Sequence, residues 1–420
     1  MFNIRPRMLL PPLSRRVVLL VLLATSACSR ADSPPAPQPG QAPPGSSSAA
    51  DADGGSAPPA ATAACVPAPL LLYTETVLPG ETAAFADLGT KIQSIQQKFH
   101  DDKGAPVSRG FHAKSHACVQ AEVQVLDMSW LVDPECKALP ATCPDAEHAC
   151  SLGVFAAPKP YKAWVRLSNG LGYSQADSSA DVRGMALKLM GVPDKKVLPG
   201  EEDATTQDFL MTNAPTALTD TAQEFMDFAQ ATTGTASLAA YLASHPTTAL
   251  RLNARTNRTI ASMLDEQFWS GSPYRLGRRA VKLTARPHSP SGKPPPSSPA
   301  DGYLRDDVVT TLANGDVVFD LLAQVQLDEQ NQPIERPTVE WKEADSAFHP
   351  VARIVIHKQD LTSASNVKAE AFCNALSFTP WHSLPENAPL GGLNRGRKAV
   401  YLASRTYRQA AAEPTGNESF

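Results

Sequence analysis

Between Gly80 and His100 apolar residues recur every three to four positions, with Phe85, Leu88, Ile92 and Ile95 on one face. That spacing predicts an amphipathic helix. From Ala121 to Leu126 the pattern becomes strict alternation, the two-residue period of a strand. The same reading predicts strands over Phe111–Met128, Ala163–Ser168, Arg183–Met190 and Asp208–Thr212. A helical stretch follows from Thr221 to about Leu264, and strands resume over Ala280–Ala285, Asp316–Leu327, Thr338–Trp341 and Val351–His357. Pro287–Pro299 is a Pro/Ser loop between the first two of these. Two groups of strands around a helical insert are compatible with a closed antiparallel barrel.

The first residues follow a different logic. Arg5, Arg7, Arg15 and Arg16 precede an apolar run, Val17–Leu23, and small residues lead to Cys28. This is the layout of a secretory signal over residues 1–28, too short to span a bilayer as a mature helix. Ala24-Thr25-Ser26-Ala27-Cys28 resembles a bacterial lipobox with Thr25 where Leu is usual, and Ser14–Leu19 resembles a twin-arginine signal. The expected product is exported, periplasmic or at the cell surface, and held to the membrane by a lipid on Cys28. Residues 29–67 are rich in Pro, Ala, Gly and Ser; they cannot bury a core and read as a disordered tether. Residues 68–410 then form the folded domain, and 411–420 a tail. At roughly 350 residues the exported part is large enough for a substantial core.

Charge and cysteine content narrow the class. The 420-residue chain has a net charge of −4, with its basic residues scattered, which argues against nucleic-acid binding. Lipidation of Cys28 would leave six of the seven cysteines: Cys65, Cys118, Cys136, Cys143, Cys150 and Cys373. An oxidising compartment permits disulfides among them, and fifteen pairings are open. Cys136, Cys143 and Cys150 share a short insertion with His148, but no CxxC pair marks a zinc site.

The chemistry is concentrated in a few short stretches. Arg397 and Tyr401 stand four apart, the spacing that puts two side chains on one helix face. A phenol ordinarily loses its proton near pH 10. A guanidinium held against its oxygen favours the phenolate, and tyrosinate can ligate haem iron. Upstream stand Arg109-Gly110-Phe111-His112-Ala113, then Arg166-Leu167-Ser168, then Asp181-Val182-Arg183-Gly184-Met185-Ala186-Leu187-Lys188, then Asn213-Ala214-Pro215. In this order, and with Arg397–Tyr401 at the end, they resemble the catalase family in its short, catalase-related branch. The resemblance runs from about Phe111 to Tyr407.

That resemblance implies an α+β fold, a closed antiparallel β-barrel of catalase type with flanking helices and haem b between them. It implies Tyr401 as iron ligand and Arg397 as the group that keeps it ionised. His112 would move the peroxide proton, Ser168 would orient His112, and Thr212 or Asn213 would polarise the peroxide. Thr212 is a departure, because the family has Asn there. Arg109 and Arg166 would pair with the haem propionates, and Phe225 would stack on the haem face. Asp181 would line the access channel, and Gly170, where the family carries Val, would widen it beside Phe111. His116 and His382 are further histidines near the motifs. The expected activity is haem-dependent consumption of hydrogen peroxide or organic hydroperoxides. Alternatives are rearrangement of a fatty-acid hydroperoxide, as in allene oxide synthases, and a non-enzymatic haem-binding or sensing module. No NADPH partner is expected.

Overall fold

Odd-numbered residues carry the core of the sheet. In β1 (Ser115–Val125) Ala117, Val119, Ala121, Val123 and Val125 are buried together. Tyr161, Ala163, Val165 and Leu167 do the same in β2 (Pro160–Asn169), and Met185, Leu187 and Leu189 in β3 (Arg183–Met190). Residues two apart share a face of a strand, so antiparallel pairing brings these positions into one apolar layer. The computed structural model describes residues 71–103, 107–132 and 150–420, all within the unit Ala63–Phe420. The remaining strands are β4 (Thr206–Thr212), β5 (Phe268–Trp269), β6 (Tyr274–Leu276), β7 (Arg279–Pro287), β8 (Val317–Val325) and β9 (Phe348–Ile356).

The strand order is β5-β4-β3-β2-β1-β9-β8-β7-β6, with every neighbouring pair antiparallel. β5 also pairs with β7, through Phe268 opposite Ala285 and Trp269 opposite Thr284. That second pairing closes eight strands into a barrel and leaves β6 as an extension beside β7. Closure removes the unpaired edges of an open sheet. The inward side chains, among them Phe209, Phe268 and Phe319, fill the interior.

Seven helices are described: α1 (Glu81–Lys103), α2 (Ala222–Ala231), α3 (Thr235–Ser244), α4 (Pro246–Thr256), α5 (Tyr303–Asn314), α6 (Ala364–Ala375) and α7 (Gly392–Tyr407). None is long and apolar enough to cross a membrane. A second apolar cluster joins Leu88, Ile92, Ile95 and Phe99 of α1 to Ala222, Met226 and Ala229 of α2 and to Leu393 and Val400 of α7. The close approach of α7 to α2 needs Gly396, where an added Cβ would lie 2.2 Å from the Cβ of Ala222. The Cys118–Cys373 disulfide, with its Cα atoms 5.7 Å apart, ties β1 to α6 across 255 residues. Cys150 is also disulfide-bonded.

The barrel is closed and antiparallel as the pattern suggests, but several elements differ from expectation. Strand β1 starts at Ser115 and not Phe111, because His112 takes a left-handed backbone with φ 55°. Thr338–Trp341 forms no strand: Val339 N donates to Arg336 O in a turn, and Trp341 is buried against Ala280, Ile334 and Leu390. Burial of a single aromatic there mimics a strand signal. The stretch from Thr221 to Leu264 is three helices, interrupted at Thr232–Gly234 and restarted at Pro246, whose fixed φ suits a first helical turn. Helices α5 and α6 and the two-residue β5 have no counterpart in the sequence expectations. Glu413 of the expected tail pairs with the buried Lys188 at 2.5 Å. The signal and tether (1–67), Cys28, Cys65, Cys136, Cys143 and His148 lie outside the described residues.

Candidate functional site

The outer face of β2–β4 does not meet the helices in full contact. A cavity of about 450 Å³ remains, with Arg166, Ser168, Gly184, Ala186, Leu210 and Thr212 on the sheet side. These are the even-numbered positions left by the inward odd-numbered layer. Ile92 of α1, Phe225 of α2 and Arg397 and Tyr401 of α7 line the helical side, and Arg109 and His112 come from the segment before β1. Eight of the nine expected site residues therefore share one cavity.

His112 is held from both ends. Its N–H donates to Gly170 O at 2.9 Å, and its Nδ1 lies 3.0 Å from Ser168 Oγ. The ring lies so close to β3 that a Cβ on Gly184 would stand 2.4 Å from Cε1 and 2.5 Å from Nδ1. Burial, followed by the charges of Arg166 and Arg397, lowers the His112 pKa to about 3. The imidazole is therefore neutral at physiological pH, the form able to accept a proton.

On α7, Arg397 Nη2 donates to Tyr401 Oη at 3.0 Å, while its Nη1 donates to Asn394 Oδ1 at 2.9 Å. Burial works against the Arg397 charge, yet Tyr401 and Tyr274 outweigh it and its pKa is raised. Phe225 packs 5.1 Å, ring to ring, from Phe111.

Three guanidiniums converge at the C-terminus of α6. Arg109 donates to Asn374 O at 2.7 Å and to Leu376 O at 2.5 Å. Arg166 donates to Asn374 Oδ1 at 3.0 Å, and Arg408 to Leu376 O at 2.7 Å. Carbonyls at a helix C-terminus carry partial negative charge, which accounts for the gathering. Their hydrogen-bond partners among the described residues are nevertheless neutral oxygens. Burial and the charges of Arg166 and Arg408 push the Arg109 pKa well below its ordinary value. Burial and then Arg408 lower Arg166 to about 9; burial and then Arg405 lower Arg408 to about 10. Among the described residues no carboxylate is ion-paired with any of the three, although Glu370 acts on Arg166 from further away, and like charges gathered in this way form a site for an anionic group. Arg408 and the α6 terminus are absent from the sequence expectations, and Gly184 stands there only as part of the Asp181–Lys188 motif, with no role given to it. Arg408 follows Arg405 at a helix end, where basic residues ordinarily need no further explanation.

Asn213 departs from expectation. Its Oδ1 accepts from Arg183 N at 2.8 Å, and its Nδ2 donates to Glu266 Oε2 at 2.9 Å. Both ends of the amide are used in the frame, and only Thr212 of the pair lines the cavity. Gly170 also corrects the sequence reading. It lines the cavity, but a Cβ there would lie 3.1 Å from Asp181 Oδ1 and 3.2 Å from Val182 O. The space of the missing side chain is filled by Asp181 and Val182, so the channel is not simply widened. Asp181 lines the cavity and accepts from Gly170 N at 3.1 Å, and burial raises its pKa to about 6.

The other histidines stand elsewhere. His116 is fully buried with Nε2 2.7 Å from Asn169 Oδ1 and does not line the cavity. His382 sits between Glu201 on Nε2 and Asp208 and Glu413 on Nδ1. With Glu201 and Glu413 it forms a potential metal-binding group. However, its carboxylates already have cationic partners: Lys188 lies 2.5 Å from Glu413 and 2.8 Å from Asp208, and Arg405 pairs with Glu201.

Solved structures of catalases share this architecture. A fungal catalase aligns with a TM-score of 0.55 at 15% identity, covering 74% of this chain and 62% of its own. A bacterial catalase aligns at 0.54 and 14%, covering 76% and 60%. Catalase A from Saccharomyces cerevisiae aligns at 0.54 and 14%, covering 76% and 66%. The chain thus has a catalase-like fold and spans about three-fifths of the length of the first two. No protein-family model and no curated protein sequence matches it.

Proposed function

We propose that the cavity holds haem b and that the protein is a haem-dependent enzyme consuming hydrogen peroxide or an organic hydroperoxide. The observation that carries this reading is the shared cavity of Tyr401 with Arg397, neutral His112 with Ser168, and three arginines with no ion-paired carboxylate among the described residues. The residues fit the group: the lining is largely apolar, Tyr401 offers a phenol oxygen for iron, and Arg109, Arg166 and Arg408 match two propionates. Bound there, haem would supply the redox chemistry that cleaves an O–O bond.

The chain's own residues would manage the proton. A neutral His112 donating Nδ1–H to Ser168 Oγ presents the lone pair of Nε2. That nitrogen takes the proton from one peroxide oxygen and returns it to the other, general acid–base work of a ring within reach of substrate. Ser168 fixes the tautomer and Gly184 leaves the ring its place. Thr212 offers a hydroxyl on the same wall as Ser168, which can hydrogen-bond the peroxide where the longer amide of Asn213 is turned away.

The Cys118–Cys373 disulfide supports folding in an oxidising compartment, in keeping with export. The test is purification of the full chain with its absorbance spectrum, then oxygen release and donor oxidation with peroxide. A Soret band with peroxide-dependent turnover is the expected result; protein that takes up no haem when supplied with it would sink the reading.

A further inference from the structure

The first described segment of the chain takes no part in the barrel. Residues 71–78 form neither helix nor strand, and Leu71, Leu72, Val77 and Leu78 are exposed. Leu72 N donates to Arg278 O at 2.8 Å, Tyr73 packs against the cluster of Ala280, Ile334, Trp341 and Leu390, and Thr76 N donates to Glu335 Oε1 at 2.9 Å. From there this strap reaches the start of α7. Glu75 Oε1 accepts from Gly391 N at 2.6 Å and from Arg395 Nη1 at 2.7 Å. Thr76 O accepts from Arg395 Nη2 at 2.9 Å.

The start of α7 is a poor helix by itself. Gly392 and Gly396 are each less favourable there than alanine by about 1 kcal/mol. Gly391, at φ 87°, has no side chain with which to cap the first turn. That turn holds no acidic residue and carries Arg395, a cation at the end where the helix amides are already positive. Neighbouring segments supply what the turn lacks. Glu75 and Glu335 take the N–H groups of Gly391 and Gly392, both at 2.6 Å. Arg395 is ion-paired with Glu75 of the strap, Glu81 of α1 and Glu335 of the loop after β8. The same turn bears Asn394, whose Oδ1 braces Arg397 at 2.9 Å, and Arg397 in turn holds Tyr401.

We infer that the strap is a latch on α7. Docked, it fixes the first turn and with it the seat of Arg397 and Tyr401. Released, it takes Glu75 from Gly391 and Arg395 without breaking any strand pairing. Glu81 and Glu335 stay with Arg395, so the turn loosens and the helix does not unfold. The latch rests on the contacts of Tyr73, Glu75 and Thr76 alone; its effect on a bound haem rests on the function proposed above.

The test is hydrogen exchange read by mass spectrometry on the full chain without haem. Tyr73→Ala removes the apolar anchor of the strap, and Glu75→Gln removes its charge. In both, peptides covering Gly391–Arg397 should exchange about tenfold or more faster than in wild type, the scale of one hydrogen bond to a charged group, while those of β1–β3 stay unchanged. Unchanged exchange of α7 in Glu75→Gln overturns the inference, whether or not Tyr73→Ala folds. Faster exchange of α7 and the barrel alike overturns it too, because the strap would then be an ordinary part of the core. With haem supplied, Glu75→Gln should lose it several-fold faster to haem-free myoglobin, and equal rates would overturn the link to Tyr401. The exchange measurement uses no haem, so it decides the latch whatever becomes of the haem reading.

Discussion

Arg397 Nη2 donates a 3.0 Å hydrogen bond to the phenol oxygen of Tyr401, one turn further along α7. The same guanidinium is braced by Asn394 Oδ1 at 2.9 Å. The pair faces the cavity from the helical side, while His112 and Ser168 face it with the sheet. Each of the four is held by a neighbour of its own, and the cavity lies among them.

Tyr401→Phe keeps the ring in place and removes the oxygen proposed to bind iron. The variant should lose most of its haem or show a shifted Soret band when purified beside wild type. Full haem content with an unchanged spectrum would rule Tyr401 out as ligand.

His112→Ala should retain haem and lose peroxide turnover by about 10²-fold or more, the scale of general acid–base catalysis. Stopped-flow rates at matched haem concentration make the comparison. Equal rates would reduce His112 to a structural residue.

Gly184→Ala tests how closely the His112 ring must sit against β3. The new Cβ would stand 2.4 Å from Cε1, so the ring or the strand has to move. Overpacking of this kind costs about 1–3 kcal/mol, and turnover should fall further than stability does. Denaturant midpoints beside rates separate the two; unchanged turnover would mean the ring has freedom that the packing denies it.

Two groups of the cavity that titrate below neutral pH act with opposite sign on stability. The unfolded chain protonates His112 near pH 6.5, whereas in the folded state it does so only at about 3. Over that window the unfolded state binds more protons, so stability falls as pH drops. Asp181 has its folded pKa raised to about 6 by burial, above an unfolded value of about 3.9. There the folded state binds more protons, so stability falls as pH rises from about 4 to about 6. Denaturant midpoints across pH 4–8 should show a weaker acid loss in His112→Asn and a stronger one in Asp181→Asn. Curves that coincide with wild type would contradict both assignments.

Joint Cys118→Ala and Cys373→Ala replacement should cost about 2–4 kcal/mol by freeing a long loop in the unfolded chain. Thermal midpoints of the oxidised wild type, the reduced wild type and the variant provide the check. If reduction leaves the midpoint unmoved, the bridge does not contribute to stability.

Short-range spacing made much of this protein legible in its sequence. The four-residue step from Arg397 to Tyr401, the alternation through Ala121–Leu126 and the 3.6-residue period of Leu88, Ile92 and Ile95 depend only on local backbone geometry. They predict the right element in those three places, whereas the twelve-residue helices α5 and α6 carried no expectation. Two-residue β5, which closes the barrel, has too few positions to show a period, and Trp341 gives a strand-like signal because burial alone favours an aromatic there. Long-range packing decided the rest. Asn213 and Thr212 are neighbours in the chain, yet the amide is drawn to Arg183 N and Glu266 while Thr212 lines the cavity. Gly170 reads as an opening until Asp181 and Val182 are seen against it. Arg109, Arg166 and Arg408 come from three distant stretches and meet only because α6 ends beside them. Local sequence sets which way a side chain points along its own element, whereas its partner across a cavity is set by how the elements close on one another.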